Sequence, residues 1–338
     1  MSTLTGPKTS LAAPAPAARR RPHLSGMTWL VWRQHRASYW TLIALTAVGV
    51  AGIAWQRSTM VDYLSGYGWP HLKSEDWLQG FNSYGQRLAQ AGLALSFVPV
   101  LLGVFVGAPL LAPDLENGTA KLVATQSASR MRWITTKFAV TGLVLAVGTA
   151  LLAVAYNWWW SPVRTQGNGM GWTDGAAFDT TGPMPVALTL FLVAAGVVIG
   201  MLLRRTLTAM VVTFGLGVFV KIVWGLTRLH LGTTVTLATH HAAGRPGSFP
   251  TLPDGAYELD RSYVTGAGRL LGWSTCVHEP NDKAVEVCLR KADVVGWSVD
   301  YLPISQMSSM QWLGAGILLA LTAALVAFVF VWGRRRLV

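Results

Sequence analysis

PVALTLFLVAAGVVIGMLL, residues Pro185–Leu203, is followed by Arg204-Arg205 and then by LTAMVVTFGLGVFVKIVW, residues Leu207–Trp224. These are two apolar stretches joined by a very tight turn that carries two arginines. A helix rises about 1.5 Å per residue, so about 20 residues cross the roughly 30 Å hydrocarbon layer. A soluble core helix needs polar residues at helical spacing, and here they are mostly missing. Four further stretches read the same way: Tyr39–Trp55, Gly92–Ala112, Phe138–Trp160 and Trp312–Trp332. The fold class is therefore an all-α polytopic membrane protein with six transmembrane helices.

Charge sets the orientation. The chain is only 12% charged, with 27 Lys+Arg against 15 Asp+Glu. Basic residues gather before the first span (Lys8, Arg19, Arg20, Arg21, Arg33, Arg36), between the second and third (Lys121, Arg130, Arg132, Lys137), at Arg204-Arg205 and after the sixth (Arg334, Arg335, Arg336). Those segments hold only two acids, Asp114 and Glu116. By the positive-inside rule this side is the cytoplasm, and six spans place both termini there. No recognition helix or aromatic-interleaved basic patch supports nucleic acid as a partner.

Residues 1–26 lack the apolar core of a signal peptide and read as a disordered Ala/Pro/Arg cytoplasmic tail. Residues 27–226 hold an N-terminal segment and the first five spans. In that segment Trp29, Trp32, Arg33 and Arg36 suit an amphipathic elbow at headgroup level, the alternative being wet first turns of the first span. The Ser161–Met184 connection shows no clear element. Residues 227–310, too long for an unstructured loop, read as an extracytoplasmic cap domain. It includes a short helix capped by Asn281 or Asp282 and running through Val285, Cys288 and Leu289. Cys276 and Cys288 fall in this oxidising compartment and permit a disulfide, the alternative being two unpaired core residues. Residues 311–338 are the sixth span and a basic C-terminus.

Within the spans, Pro99 and Pro109 should kink the second helix. The pairs Gly103/Gly107 and Gly196/Gly200 allow close helix approach, within or between chains. Lys221, toward the outer end of its span, is expected to snorkel, and intramembrane acids are absent from the reading. Catalytic signatures are missing: there is no phosphate-binding G-x4-G-K-[S/T], H-E-x-x-H or G-x-S-x-G, and adjacent His240-His241 make weak metal ligands.

The cytoplasmic segment Ala112-Pro113-Asp114-Leu115-Glu116-Asn117-Gly118-Thr119 leads on through Arg130 to Lys137. It resembles the cytoplasmic loop of type-2 ATP-binding-cassette (ABC) exporter permeases: an acid, then Gly-Thr, a short mixed run, a basic residue and a Lys as the next span begins. Trp29–Arg36 resembles the opening of actinobacterial members, and Tyr301–Ser305 loosely resembles theirs. Some relatives carry an acid near the start of the last span, where this chain has Gly314.

The resemblance implies a cell-membrane permease, bacterial in type, working as a homodimer with two copies of a cytoplasmic ABC ATPase. ATP and Mg would be bound by that partner and no cofactor by this chain, which would not be an enzyme by itself. Asp114, Glu116, Asn117, Gly118, Thr119, Arg130 and Lys137 would form the ATPase-coupling loop, and the cargo would be an amphiphilic or hydrophobic compound moved outward. The competing classes are a membrane scaffold and an intramembrane hydrolase. The topology is testable with an impermeant maleimide on single-cysteine variants in intact cells. Ser248→Cys should label and Ser129→Cys should not, whereas labelling of Ser129→Cys would overturn the six-span map.

Overall fold

The computed structural model describes residues 27–72, 76–117, 130–165, 170–240 and 249–336. The protein is mostly helical, and among the described residues six helices are long and apolar enough to cross a membrane. They are built from α1 (Met27–Ser65), α2 (Trp77–Leu102) with α3 (Ala112–Glu116), α4 (Arg130–Trp160), α6 (Met184–Leu203), α7 (Thr206–Thr227) and α9 (Met307–Arg336). Met27 and Arg336 lie at one end of the bundle, the terminal end. Several helices run well past the apolar stretches, so that α1 and α2 form much of the 56–90 connection.

The fourth span, α6, is the axis. Two thirds of its apolar window is buried (67%), against 11% in the first span and 17% in the fifth. It packs against α2, α4, α7 and α9, while α1 leans on α4. The two glycine pairs meet each other inside the chain. A Cβ on Gly107 would lie 2.7 Å from the Val193 carbonyl oxygen, and one on Gly196 would lie 2.7 Å from that of Gly103. Here the second span leaves α geometry for a π turn (Gly103–Gly107) and a 3-10 turn (Ala108–Leu110). Pro99 and Pro109 each remove a backbone donor around this stretch, and the irregular backbone is covered by α6.

The Ser161–Met184 connection is not elementless, as the sequence suggests: its described residues 172–184 form a largely buried wedge. It contains α5 (Gly175–Phe178), and Trp172, Phe178 and Met184 sit in the main core with Trp160, Leu192 and Met310. The Trp172 indole donates to the Gly255 carbonyl (2.8 Å), and the Tyr156 hydroxyl donates to that of Leu88 (3.0 Å). Gln311 of the sixth span donates to the Phe178 carbonyl (2.9 Å) and to the Thr181 hydroxyl (2.9 Å).

The all-α expectation is corrected between the fifth and sixth spans. There a four-stranded antiparallel sheet, ordered β1-β4-β2-β3, is formed by β1 (Val235–His240), β2 (Tyr257–Thr265), β3 (Leu270–Gly272) and β4 (Val294–Leu302). β1 continues from α7 and β4 leads into α9, so their pairing holds these span ends together. Gln306 reinforces it, accepting from the Thr233 amide (2.7 Å) and donating to the Thr233 carbonyl (2.8 Å). The expected helix is α8 (Asp282–Lys291), with the Asn281 side chain accepting from the Ala284 amide (2.9 Å).

Cys276 and Cys288 are disulfide-bonded and pack with Tyr263, Leu289 and Val294, tying the segment before α8 to the helix itself. The bridge closes a loop of 12 residues' separation, worth roughly 3 kcal/mol in the chain-entropy model. Cys276→Ser with Cys288→Ser should make the sheet region protease-sensitive while leaving the helical bundle intact. Unreduced peptide mass spectrometry checks the bond, and two alkylatable thiols would refute it.

Candidate functional site

At the terminal end, the described part of the segment expected to couple to an ATPase is tied into three spans. Lys137, two turns into α4, is fully buried beneath the bundle surface. Its ammonium pairs with Asp114 (2.7 Å), approaches the Leu110 carbonyl (3.4 Å) and lies 4.4 Å from the Trp133 ring centroid. A buried ammonium needs such a partner, because desolvation would otherwise expel it. Two residues beyond Asp114, the Glu116 carboxylate accepts from the Thr206 amide (3.0 Å) and hydroxyl (2.8 Å). It therefore caps α7, where orphan amides and the helix dipole favour an anion. Asn117 ends α3, its amide donating to the Pro113 carbonyl (3.0 Å).

The structure thus brings Asp114, Glu116, Asn117 and Lys137 to one corner. Arg130 begins α4, while Gly118 and Thr119 lie outside the described residues. The same corner meets α1. His35 is the one residue inside α1 with non-helical torsions (φ −109°, ψ 15°), so α1 kinks within the segment expected to form the elbow. The His35 imidazole neighbours Asp114 and Lys137, and its Nε2 is buried without a hydrogen-bond partner. On the elbow Trp29, Arg33 and Arg36 are exposed, with the Arg33 guanidinium 5.0 Å from the Trp29 ring. Trp32 packs on Tyr39, whose hydroxyl bonds that of Thr141 in α4 (2.9 Å).

A second constellation lies at the opposite end. Lys221 does not snorkel: it pairs with Asp179, whose side chain is 4% exposed. The Trp224 indole donates to the other Asp179 oxygen (2.9 Å), and the Arg228 guanidinium stands 3.5 Å from it. The acid that engages Lys221 comes from the wedge and not from a span, so the spans themselves remain without this acid. Gly314 accommodates Trp224: a Cβ there would meet ring carbons at 3.1 Å and closer. Sequence reasoning missed Asp179. The available signal was the Lys221/Trp224/Arg228 stripe, spaced at three and four on one helix face, facing an otherwise unexplained acid before Thr180-Thr181-Gly182.

Removing Asp179 strands two partly buried cations. Asp179→Asn should destabilise the bundle by about 3–5 kcal/mol, read as a lowered unfolding midpoint in detergent. Adding Lys221→Met should recover part of that loss, and strict additivity of the two changes would contradict a direct pair.

Among the described residues no three His, Cys, Asp or Glu side chains converge on a metal-sized site. The chemistry available at the two ends is charge pairing and helix capping. No curated protein and no solved structure matches the chain. The family model described as ABC-2 membrane transporter related matches residues 43–228, which include the corner from Asp114 to Lys137 and the Asp179 cluster but neither the sheet nor the sixth span. With more than half its length matched and six membrane-spanning helices, the chain belongs to the ABC-2 membrane transporter related family, as a multi-pass ABC transporter permease component.

Proposed function

We propose that this chain is the permease subunit of an ABC exporter, a homodimer in a bacterial plasma membrane served by two copies of a separate ATPase. The terminal end faces the cytoplasm and the sheet forms an extracytoplasmic cap. The basic residues of that end support this orientation, as does a disulfide at the other, which persists in an oxidising compartment. ATP and Mg belong to the partner. The cargo is an amphiphilic or hydrophobic compound moved outward.

The observation that carries this reading is the wiring of the coupling corner. Asp114 is bonded to Lys137 of the third span and Glu116 to Thr206 of the fifth, while His35 brings in the elbow. A load applied by a closing ATPase to the Asp114–Lys137 segment would reach the second, third and fifth spans together. No single flexible loop has to transmit it.

Glu116→Lys would remove the cap and place a cation beside Arg204 and Arg205, and Gly118→Val would crowd the loop. Both variants should insert at near-normal abundance while ATPase co-purification falls about tenfold or more. Glu116→Gln, which keeps an acceptor for Thr206, separates capping from docking: it should preserve bundle stability yet still weaken the ATPase contact. Full transport-linked ATPase activity in both Glu116→Lys and Gly118→Val would contradict the coupling assignment. A chain that retains no ATPase in mild detergent would favour the scaffold.

A further inference from the structure

A cleft of about 470 Å³ opens at the sheet end between the third and sixth spans. Trp160, Ile304 and Met307 give it an apolar side. Its polar side is made by Arg164, Thr181, Ser305, Ser308 and Gln311. The volume lies in the range of small-molecule sites, and an apolar wall facing a few convergent polar groups is their usual make-up.

Charge in the cleft is one-sided. Among the described residues no carboxylate lines it, and Arg164, the one charged residue of that lining, makes no ion pair. Asp179, two residues before Thr181, is paired with Lys221 and Arg228 and does not line the cleft. The wall that presents Thr181 is fixed. Gln311, 4% exposed, donates to Phe178 and Thr181, and Gly182 passes over its side-chain oxygen in a left-handed conformation (φ +62°). Nearby, exposed Trp158 and Trp312 mark this level, and the Arg57 guanidinium stacks 3.9 Å from the Trp158 ring. Exposed indoles and guanidinium groups concentrate at the membrane interface, where lipid headgroups lie. The cleft therefore opens at headgroup depth, beside the apolar flanks of the third and sixth spans.

We propose that this cleft binds the anionic phosphate or carboxylate headgroup of a membrane amphiphile. Arg164 supplies a forked, permanently charged donor that matches either anion, while the exposed Ser305 and Ser308 hydroxyls line the same cleft and serve the headgroup's remaining acceptors. The amphiphile's tail lies along the lipid-facing surface. Asp179 acts as a positioning residue, holding the wedge from behind. The proposal rests on the membrane-spanning fold and not on ATPase coupling, so it is tested on the permease alone.

Native mass spectrometry of the full-length chain in detergent, titrated with dodecyl phosphate, reads the bound adduct directly. The wild type should retain dodecyl phosphate over dodecyltrimethylammonium. Arg164→Gln should weaken retention about tenfold or more, the effect of losing a charged hydrogen bond, and Arg164→Lys should restore part of it. Unchanged elution and unfolding midpoint show that the exposed Arg164 variants remain folded. Equal retention by wild type and Arg164→Gln would overturn the site. Equal retention of the cationic amphiphile would overturn its charge preference. Inorganic phosphate competing at the same concentration as dodecyl phosphate would identify a free-anion site and overturn the amphiphile. Loss of ATPase coupling in Glu116→Lys with dodecyl phosphate binding intact would leave this proposal standing.

Discussion

Hydrocarbon offers a peptide group no hydrogen-bond partner, and each unpaired amide or carbonyl placed there costs several kcal/mol. That constraint shapes the whole chain. Regular helices take the lipid-facing positions, and irregular backbone occurs where protein covers it. The π and 3-10 turns of the second span lie against α6, whose glycines admit their carbonyls. The wedge before α6 is likewise enclosed, with its polar groups bonded to Gln311 and to neighbouring backbone. α6 is the axis because the irregular stretch of the second span depends on it for cover, while the wedge is covered by α2 and by Gln311 of the sixth span.

The fifth span is the reverse case. Its apolar outer face, including Phe214, Phe219 and Leu226, is exposed, and little of its apolar window is buried. Polar bonds anchor it at both ends: Glu116 caps its start, and Asp179 engages Lys221, Trp224 and Arg228 near its finish. A 22-residue helix spans about 33 Å, so it links the coupling corner to the wedge almost across the bilayer. Charge pairs and caps are directional, unlike the apolar contacts of α6, and can be exchanged for alternatives without dismantling the core.

Much of this was legible in the sequence, for identifiable reasons. Six apolar runs read directly as spans because the hydrocarbon thickness sets one length for all of them. The α8 cap at Asn281 and the pairing of Cys276 with Cys288 followed from local signals. The sheet did not, because β1 and β2 are partly exposed strands paired through β4, 29 to 66 residues away in sequence. Asp179 was hidden for a related reason. Hydropathy places it in a polar connection, and only tertiary folding buries it beside Lys221. At the coupling corner the residue types were readable, but the bonds from Asp114 to Lys137 and from Glu116 to Thr206 reach across 23 and 90 residues.

The central claim is that the corner around Asp114–Lys137 receives a separate ATPase. Site-specific photocrosslinking in native membranes tests it most directly, with a photoreactive amino acid at Asn117, exposed beside Glu116, and as control at Leu259, exposed on the sheet. The account predicts a covalent adduct between position 117 and an ATPase subunit, strengthened or weakened by nucleotide, and none from position 259. Absence of any ATPase adduct at 117, or an equal adduct at 259, would contradict it.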